Sequence, residues 1–136
     1  MAPPFPSPEW LQALEARLNQ DARYAQVARN WEGDLAFVIE PDDSGELDEP
    51  VIFYLDLWHG QCRGSAVLQD IQEKNPAFVL TASLKDYRRI LEGKLDPMQA
   101  MLTRKLKVKG NLAYMMRHVP IVLDFVRVCR EVTQEG

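Results

Sequence analysis

The stretch that most constrains the fold covers residues 78–118, FVLTASLKDYRRILEGKLDPMQAMLTRKLKVKGNLAYMMRH, because its hydrophobic period changes repeatedly within a short span. It opens on a run of strand length, 77–82, whose continuous apolarity predicts burial on both faces. Ser83 then stands as an N-cap with Asp86 three residues on, and Tyr87, Ile90 and Leu91 share the inner face of a helix that Gly93 closes. Asp96-Pro97 opens a second helix by the same capping logic, with Met98, Met101 and Leu102 along one side. Residues 105–109 alternate, Leu106 and Val108 inward and Lys105, Lys107 and Lys109 outward, as a half-solvated strand does. Gly110-Asn111 turns the chain into a short helix, Leu112–Met116. Pro120 interrupts it and serves as the first residue of a last helix. On that helix Ile121, Val122, Phe125, Val126, Val128, Cys129 and Val132 cover more than one face, so it needs burial, a ligand or a partner to cover it.

Upstream, Ser7-Pro8-Glu9 supplies an N-cap, a proline at the first helical position and an acid in the first turn. Trp10, Leu11, Leu14, Leu18, Ala22, Ala25 and Ala28 recur at spacings of three and four, which predicts one amphipathic helix over 8–30. The proline-rich residues 1–6 read as a lead-in to a single domain spanning 7–136. Leu35–Glu40 has strand alternation, and the acidic PDDSGELDEP after it lacks the spacing of a calcium loop and reads as a solvated connection. Val51–Trp58 and CRGSAVLQD, joined by a tight turn at His59-Gly60-Gln61, predict a hairpin, and 71–76 a loop.

Composition bounds the function. With 136 residues, 46% hydrophobic and 26% charged, the chain fits one globular domain with a real core. No apolar run approaches the ~20 residues of a membrane span. The N-terminus has neither the basic nor the apolar region of a secretory signal. The two cysteines, Cys62 and Cys129, make no disulfide framework, so a reduced, cytoplasmic chain is expected. A net charge of −4 argues against nucleic-acid binding. That figure hides an asymmetry: from Lys85 to Arg117 there are nine Lys/Arg and three Asp/Glu, against seven and seventeen in the remainder. Such a run most often forms a solvated face; the sharper reading is attraction to anionic lipid headgroups or to an acidic group on a ligand.

No P-loop, nucleophile elbow or dinucleotide fingerprint occurs. His59 and Cys62 stand three apart across a turn but lack the second pair that closes a zinc site. No catalysis, metal or cofactor is expected, and Cys129 reads as a small core hydrophobe. Four of the five methionines, Met98, Met101, Met115 and Met116, lie in 78–118. They suit either core filling or a wall that adapts to ligands of varied shape.

The segment LKDYRRILEGKLDPMQAMLTRKLKVKGNLAYMM resembles the sterol carrier protein 2 family of lipid-binding domains. The resemblance rests on Asp86, Ile90 and Leu91 in a short helix, then Gly93 and the helix opened by Asp96-Pro97. It continues through the Lys105-Leu106-Lys107 strand and Gly110-Asn111 to the apolar Leu112 and Met115. With the order of elements upstream it extends over about 10–132. Arg104 stands where the family often has a glycine, and His118-Val119-Pro120 breaks a helix that the family often continues.

The resemblance implies an α+β fold: a five-stranded, mostly antiparallel sheet with helices covering one face, and between them an apolar tunnel for sterols, fatty acids, acyl-CoA esters or phospholipids. On it, Phe78, Leu80, Ile90, Met98, Met101, Leu102, Leu106, Val108, Leu112, Met115, Met116, Val122 and Phe125 are expected to form the tunnel wall. Arg88, Arg89, Arg104, Lys105, Lys107 and Lys109 are expected to form a basic rim for a carboxylate or a CoA phosphate, with transient contact to an anionic membrane. The function expected is non-catalytic binding, with or without transfer, of a lipid-like ligand. The rival expectation is a protein-interaction or homodimerisation module that uses the apolar C-terminal helix; a third is an accessory that presents lipid to an enzyme.

Overall fold

Strand pairing places every predicted strand in one sheet in a computed structural model, which describes residues 2–134. The strands are β1 (Leu35–Glu40), β2 (Val51–Trp58), β3 (Gln61–Leu68), β4 (Phe78–Ser83) and β5 (Lys107–Lys109), in the order β3-β2-β1-β4-β5. The pairs β1–β2, β2–β3 and β4–β5 are antiparallel, and β1–β4 is parallel. Directly paired residues share a face. Leu35 lies between Leu55 and Phe78, Phe37 between Phe53 and Leu80, and Ile39 between Val51 and Ala82. These rows form the apolar face on which the helices pack.

The helices are α1 (Pro8–Gln20), α2 (Ala22–Val27), α3 (Leu84–Leu91), α4 (Pro97–Leu102), α5 (Leu112–Met116) and α6 (Val119–Gln134). Five details differ from the sequence reading. The helix expected over 8–30 breaks at Asp21, whose backbone is extended. Its carboxylate accepts from the Tyr24 amide at 2.8 Å, so it ends α1 and caps α2; a short acidic side chain competes for backbone donors in this way. β4 is not buried on both faces: Phe78, Leu80 and Ala82 are buried, while Val79, Thr81 and Ser83 are half-buried on the side opposite the helices. Residues 71–73 form a 3₁₀ turn closed by an Asp70–Glu73 capping box, and β5 has three residues rather than five. Pro120 is the second residue of α6; the chain turns at Arg117-His118, and the His118 carbonyl accepts from the Ile121 and Val122 amides.

Phe5, in the stretch read as a lead-in, is a core residue. Its ring meets Trp10 edge-on at 4.7 Å and lies 6.0 Å from Tyr87. Arg88 fixes this stretch by donating to the Phe5 carbonyl at 3.0 Å while forking onto Glu46 at 2.7 and 2.8 Å. Gly110 lets the turn before α5 lie against β4, because a Cβ there would run into the Ala77 carbonyl oxygen and the Phe78 ring.

The C-terminal helix is apolar on several sides because the fold encloses it. It packs on α1, α2, α3 and α5 and buries Ile121, Phe125, Val128, Cys129 and Val132. It also buries a charge, Asp124, at 5% exposure. Arg127 donates to both Asp124 oxygens at 2.9 and 3.1 Å, to both Asp21 oxygens at 2.8 and 3.1 Å and to Glu131 at 3.0 Å, and Arg23 adds a contact to Asp124 at 3.3 Å. This network ties α6 to the α1–α2 junction. Its hydrogen bond from Arg127 holds the Asp21 carboxyl below its ordinary range.

Two stability outcomes follow. Arg127→Met leaves Asp124 with a single partner, so the chain should lose about 2 kcal/mol in urea denaturation. Because the folded-state pKa of Asp21 is depressed, its contribution is full above the unfolded value of about 3.9 and is lost as pH falls through the folded value. The gap between wild type and Arg127→Met should therefore be constant at neutral pH and narrow below about pH 4. Arg104, directly after the α4 C-cap, has a left-handed backbone with φ of 63°. A glycine adopts that conformation without a Cβ clash, so Arg104→Gly should raise stability by about 1 kcal/mol, read from the same denaturation curves.

Candidate ligand-binding site between the sheet and the helices

Three apolar layers converge on the inner face of β1 and β4: α3 and α4 from one end, α6 from above and the Phe5–Trp10 segment from the side. They leave two interior cavities. The first, about 60 Å³, is lined by Phe5, Trp10, Phe37, Leu80, Tyr87, Ile90, Leu91, Pro97, Met101, Leu106, Val122, Phe125, Val126 and Cys129. The second, about 40 Å³, is lined by Tyr24, Trp31, Leu35, Leu57, Leu80, Met101, Met115, Ile121, Val122 and Phe125. Leu80, Met101, Val122 and Phe125 line both, so these four side chains are the partition between them.

The polar atoms in these walls are neutral and spoken for. The Tyr87 hydroxyl donates to the Leu80 carbonyl, and burial pushes both it and the Cys129 thiol far up. A thiol held protonated is not a nucleophile. Cys62, also buried and unpaired, is pushed up to about 11 by burial. Among the described residues no group of three His, Cys, Asp or Glu side chains is placed to hold a metal ion. His59, considered with Cys62 as a ligand, instead contacts Glu32 at 2.7 Å. A cavity of this kind excludes water and takes apolar groups.

Outside the cavities, a surface groove of about 340 Å³ runs between α4, β5 and α5. Met98, Met101, Leu102, Arg104, Leu106, Lys107, Val108, Leu112 and Met116 line it. Met101 thus borders the groove and both cavities, and Leu106 borders the groove and the first.

The residues expected to form one wall divide among three places. Leu80, Ile90, Met101, Leu106, Met115, Val122 and Phe125 line the interior cavities. Met98, Leu102, Val108, Leu112 and Met116 line the outer groove. Phe78 lines neither; it is buried against Trp31 at 5.5 Å and Tyr114 at 6.2 Å. The basic residues divide too. Arg104 and Lys107 line the groove, with Lys105 and Lys109 exposed on the same segment. Arg88 and Arg89 lie instead in a polar depression with Asp42, Asp43 and Glu92. Several cavity residues were not singled out as wall from the sequence. Leu35, Phe37 and Leu57 could have been found by pairing the inward positions of β1 and β2 with those of β4. Trp10 read only as helix face, and Phe5 gave no periodic signal.

Comparison with known proteins agrees with this architecture. Residues 11–122 match the family model described as the SCP-2 sterol transfer family. A crystal structure of sterol carrier protein 2 is 35% identical, with a TM-score of 0.81 over 90% of this chain and 94% of that one. A solution structure from Thermus thermophilus, described as possibly a sterol carrier protein, is also 35% identical, with a TM-score of 0.82 over 93% of this chain and 87% of that one. The apo form of sterol carrier protein 2 from Yarrowia lipolytica, 20% identical with a TM-score of 0.61 over 97% and 94% of the two chains, shares the fold. A search of curated protein sequences found no match. With the match spanning most of its length, the chain belongs to the SCP-2 sterol transfer family.

Proposed function

We propose that this protein binds the apolar part of a lipid-like ligand, such as a fatty acid, acyl-CoA, sterol or phospholipid, in the space between sheet and helices, and carries it without chemical change. The observation that supports this reading is the partition itself. Two wholly apolar cavities are separated by four side chains, one of them the unbranched Met101, which also faces the outside. Each cavity is small against a lipid, so a ligand enters by displacing the partition. Met has three rotatable bonds and tolerates repacking at low cost. Each buried methylene returns about 0.8 kcal/mol, enough for a long chain to offset that rearrangement with few polar contacts.

A carboxylate or CoA phosphate on the ligand fits the outer groove, where Arg104 and Lys107 line the wall and Lys105 and Lys109 are exposed on the same segment. Exchange of ligand with an anionic membrane surface is consistent with the same charge. Apolar walls, neutral hydroxyls and a protonated buried thiol offer no general base or nucleophile, which supports carriage rather than catalysis. The rival, an interaction module built on α6, finds less support, because the apolar side chains of that helix are covered within the chain and Leu123 is its large exposed hydrophobe.

Native mass spectrometry of the purified protein should show a monomer carrying lipid; a tight dimer free of lipid would overturn the proposal in favour of the rival. Val122→Phe adds a ring where the cavities meet and should weaken palmitate binding by about tenfold while octanoate binding changes by less than about threefold, since chain burial scales with methylene count. Neutralising Arg104, Lys105, Lys107 and Lys109 together should weaken acyl-CoA binding and flatten its dependence on salt, whereas Arg89→Gln should change neither.

A further inference from the structure

We propose that the α4–β5–α5 groove docks onto a bilayer surface rich in anionic lipid and is the portal of the cavity, with Met101 as its gate. This rests on the carrier reading above and adds where the ligand passes and what the protein sits on when it does. Of the six large hydrophobic side chains exposed among the described residues, three are in this groove: Leu102 at 78%, Leu112 at 50% and Met116 at 45% exposure. They are long aliphatic chains at the surface, of a kind that inserts between headgroups.

The charge around them fits one partner. Between Asp96 and Asp124 the chain carries no carboxylate, while Arg104, Lys105, Lys107, Lys109 and Arg117 give five positive charges. The whole chain has a net charge of −4, so the remainder carries −9. None of those five cations joins an ion pair among the described residues, in contrast to Arg17, Arg23, Arg63, Arg88, Lys94 and Arg127. Arg104 and Lys107 line the groove beside the exposed aliphatic side chains, and Lys105, Lys109 and Arg117 add charge on the same segment. Together they match an anionic headgroup layer over hydrocarbon, and the acidic remainder turns the rest of the molecule away from it. Arg104 keeps its cation here in a backbone conformation where glycine is less strained.

Continuity with the interior selects a membrane over an acidic protein. The floor of the groove is Met101 and Leu106, which are also walls of the first cavity, so rotation of the Met101 side chain joins surface to interior without breaking secondary structure. A lipid leaving a bilayer through this route exchanges hydrocarbon for apolar wall with little passage through water.

The test uses sedimentation with phosphatidylcholine vesicles with and without phosphatidylserine, and stopped-flow release of a fluorescent fatty acid. Wild type should bind the anionic vesicles and bind the zwitterionic ones at least about tenfold more weakly, since each cation near such a surface contributes to attraction. The double variant Leu102→Asp, Leu112→Asp, checked for an unchanged denaturation midpoint, should lose anionic binding by about tenfold or more. Arg117→Glu, whose side chain lines neither groove nor cavity, should weaken vesicle binding about tenfold and leave fatty-acid affinity in buffer unchanged. Met101→Ala should speed fatty-acid release severalfold. Equal binding to both vesicle types, or vesicle binding indifferent to the Leu102/Leu112 and Arg117 changes, overturns the docking face; an unchanged release rate overturns the gate. Failure of wild type to bind fatty acid in buffer would remove the carrier reading instead, and charge-dependent vesicle binding would then still stand for the docking face.

Discussion

The position of α6 above the sheet depends on the neutralisation of a buried charge. Asp124 is buried on α6, and a carboxylate left there without its guanidinium would cost a few kcal/mol. Arg127 removes that penalty and directs its remaining donors to Glu131 and to Asp21, the residue at which the N-terminal helix breaks. One guanidinium therefore fixes both the position of the roof helix and the angle at which α1 passes into α2. With α6 held there, Val122, Phe125 and Cys129 face the sheet, and the space between them and Phe37 and Leu80 becomes an interior rather than a cleft.

That interior is underfilled but not open. A packed core of this size ordinarily leaves few voids larger than a water molecule. Here the two voids adjoin, and the side chains between them include one of the most adaptable available. Room for a ligand is distributed as small gaps plus a movable partition, so the unliganded chain keeps most of its packing energy. On the carrier reading proposed above, the same distribution would let ligands of different shape displace different parts of the wall.

The element sequence of the 78–118 region was legible because caps and periods are local: Ser83, Asp96 and Asn111 each accept from the backbone amide three residues on, as their positions imply. The family resemblance carried the sheet-and-helix layering, and the sheet contains the parallel pair that no local pattern discloses. What failed to read was set by distance. Asp21 looks like one more polar residue on a helix until Arg127, far along the chain, is seen to need it. The continuous apolar run of β4 predicts two covered faces, whereas Val79 and Thr81 are tolerated on a half-open one because β-branched side chains fit a pleated, half-buried surface. The basic run was counted along the sequence as one rim, yet Arg88 and Arg89 project from α3 toward the acidic loop after β1 and belong to a different surface. Phe5 could not be placed at all, since proline spacing carries no face.

The parallel β1–β4 pair also orders events in time. The β2–β3 hairpin closes across a tight turn and can form early, whereas the pairing of Leu35 with Phe78 closes a loop that contains the whole hairpin and the 3₁₀ turn. Non-local pairing bears its loop-closure entropy before any contact returns it. Leu80, which lines both cavities, is on the strand that makes this long-range pairing, and β5 joins the sheet through that strand alone. Until β1 and β4 pair, the inner faces of both strands are without the neighbours that cover them. Exposed apolar faces and unpaired strand edges at that stage make a chain of this topology prone to aggregation.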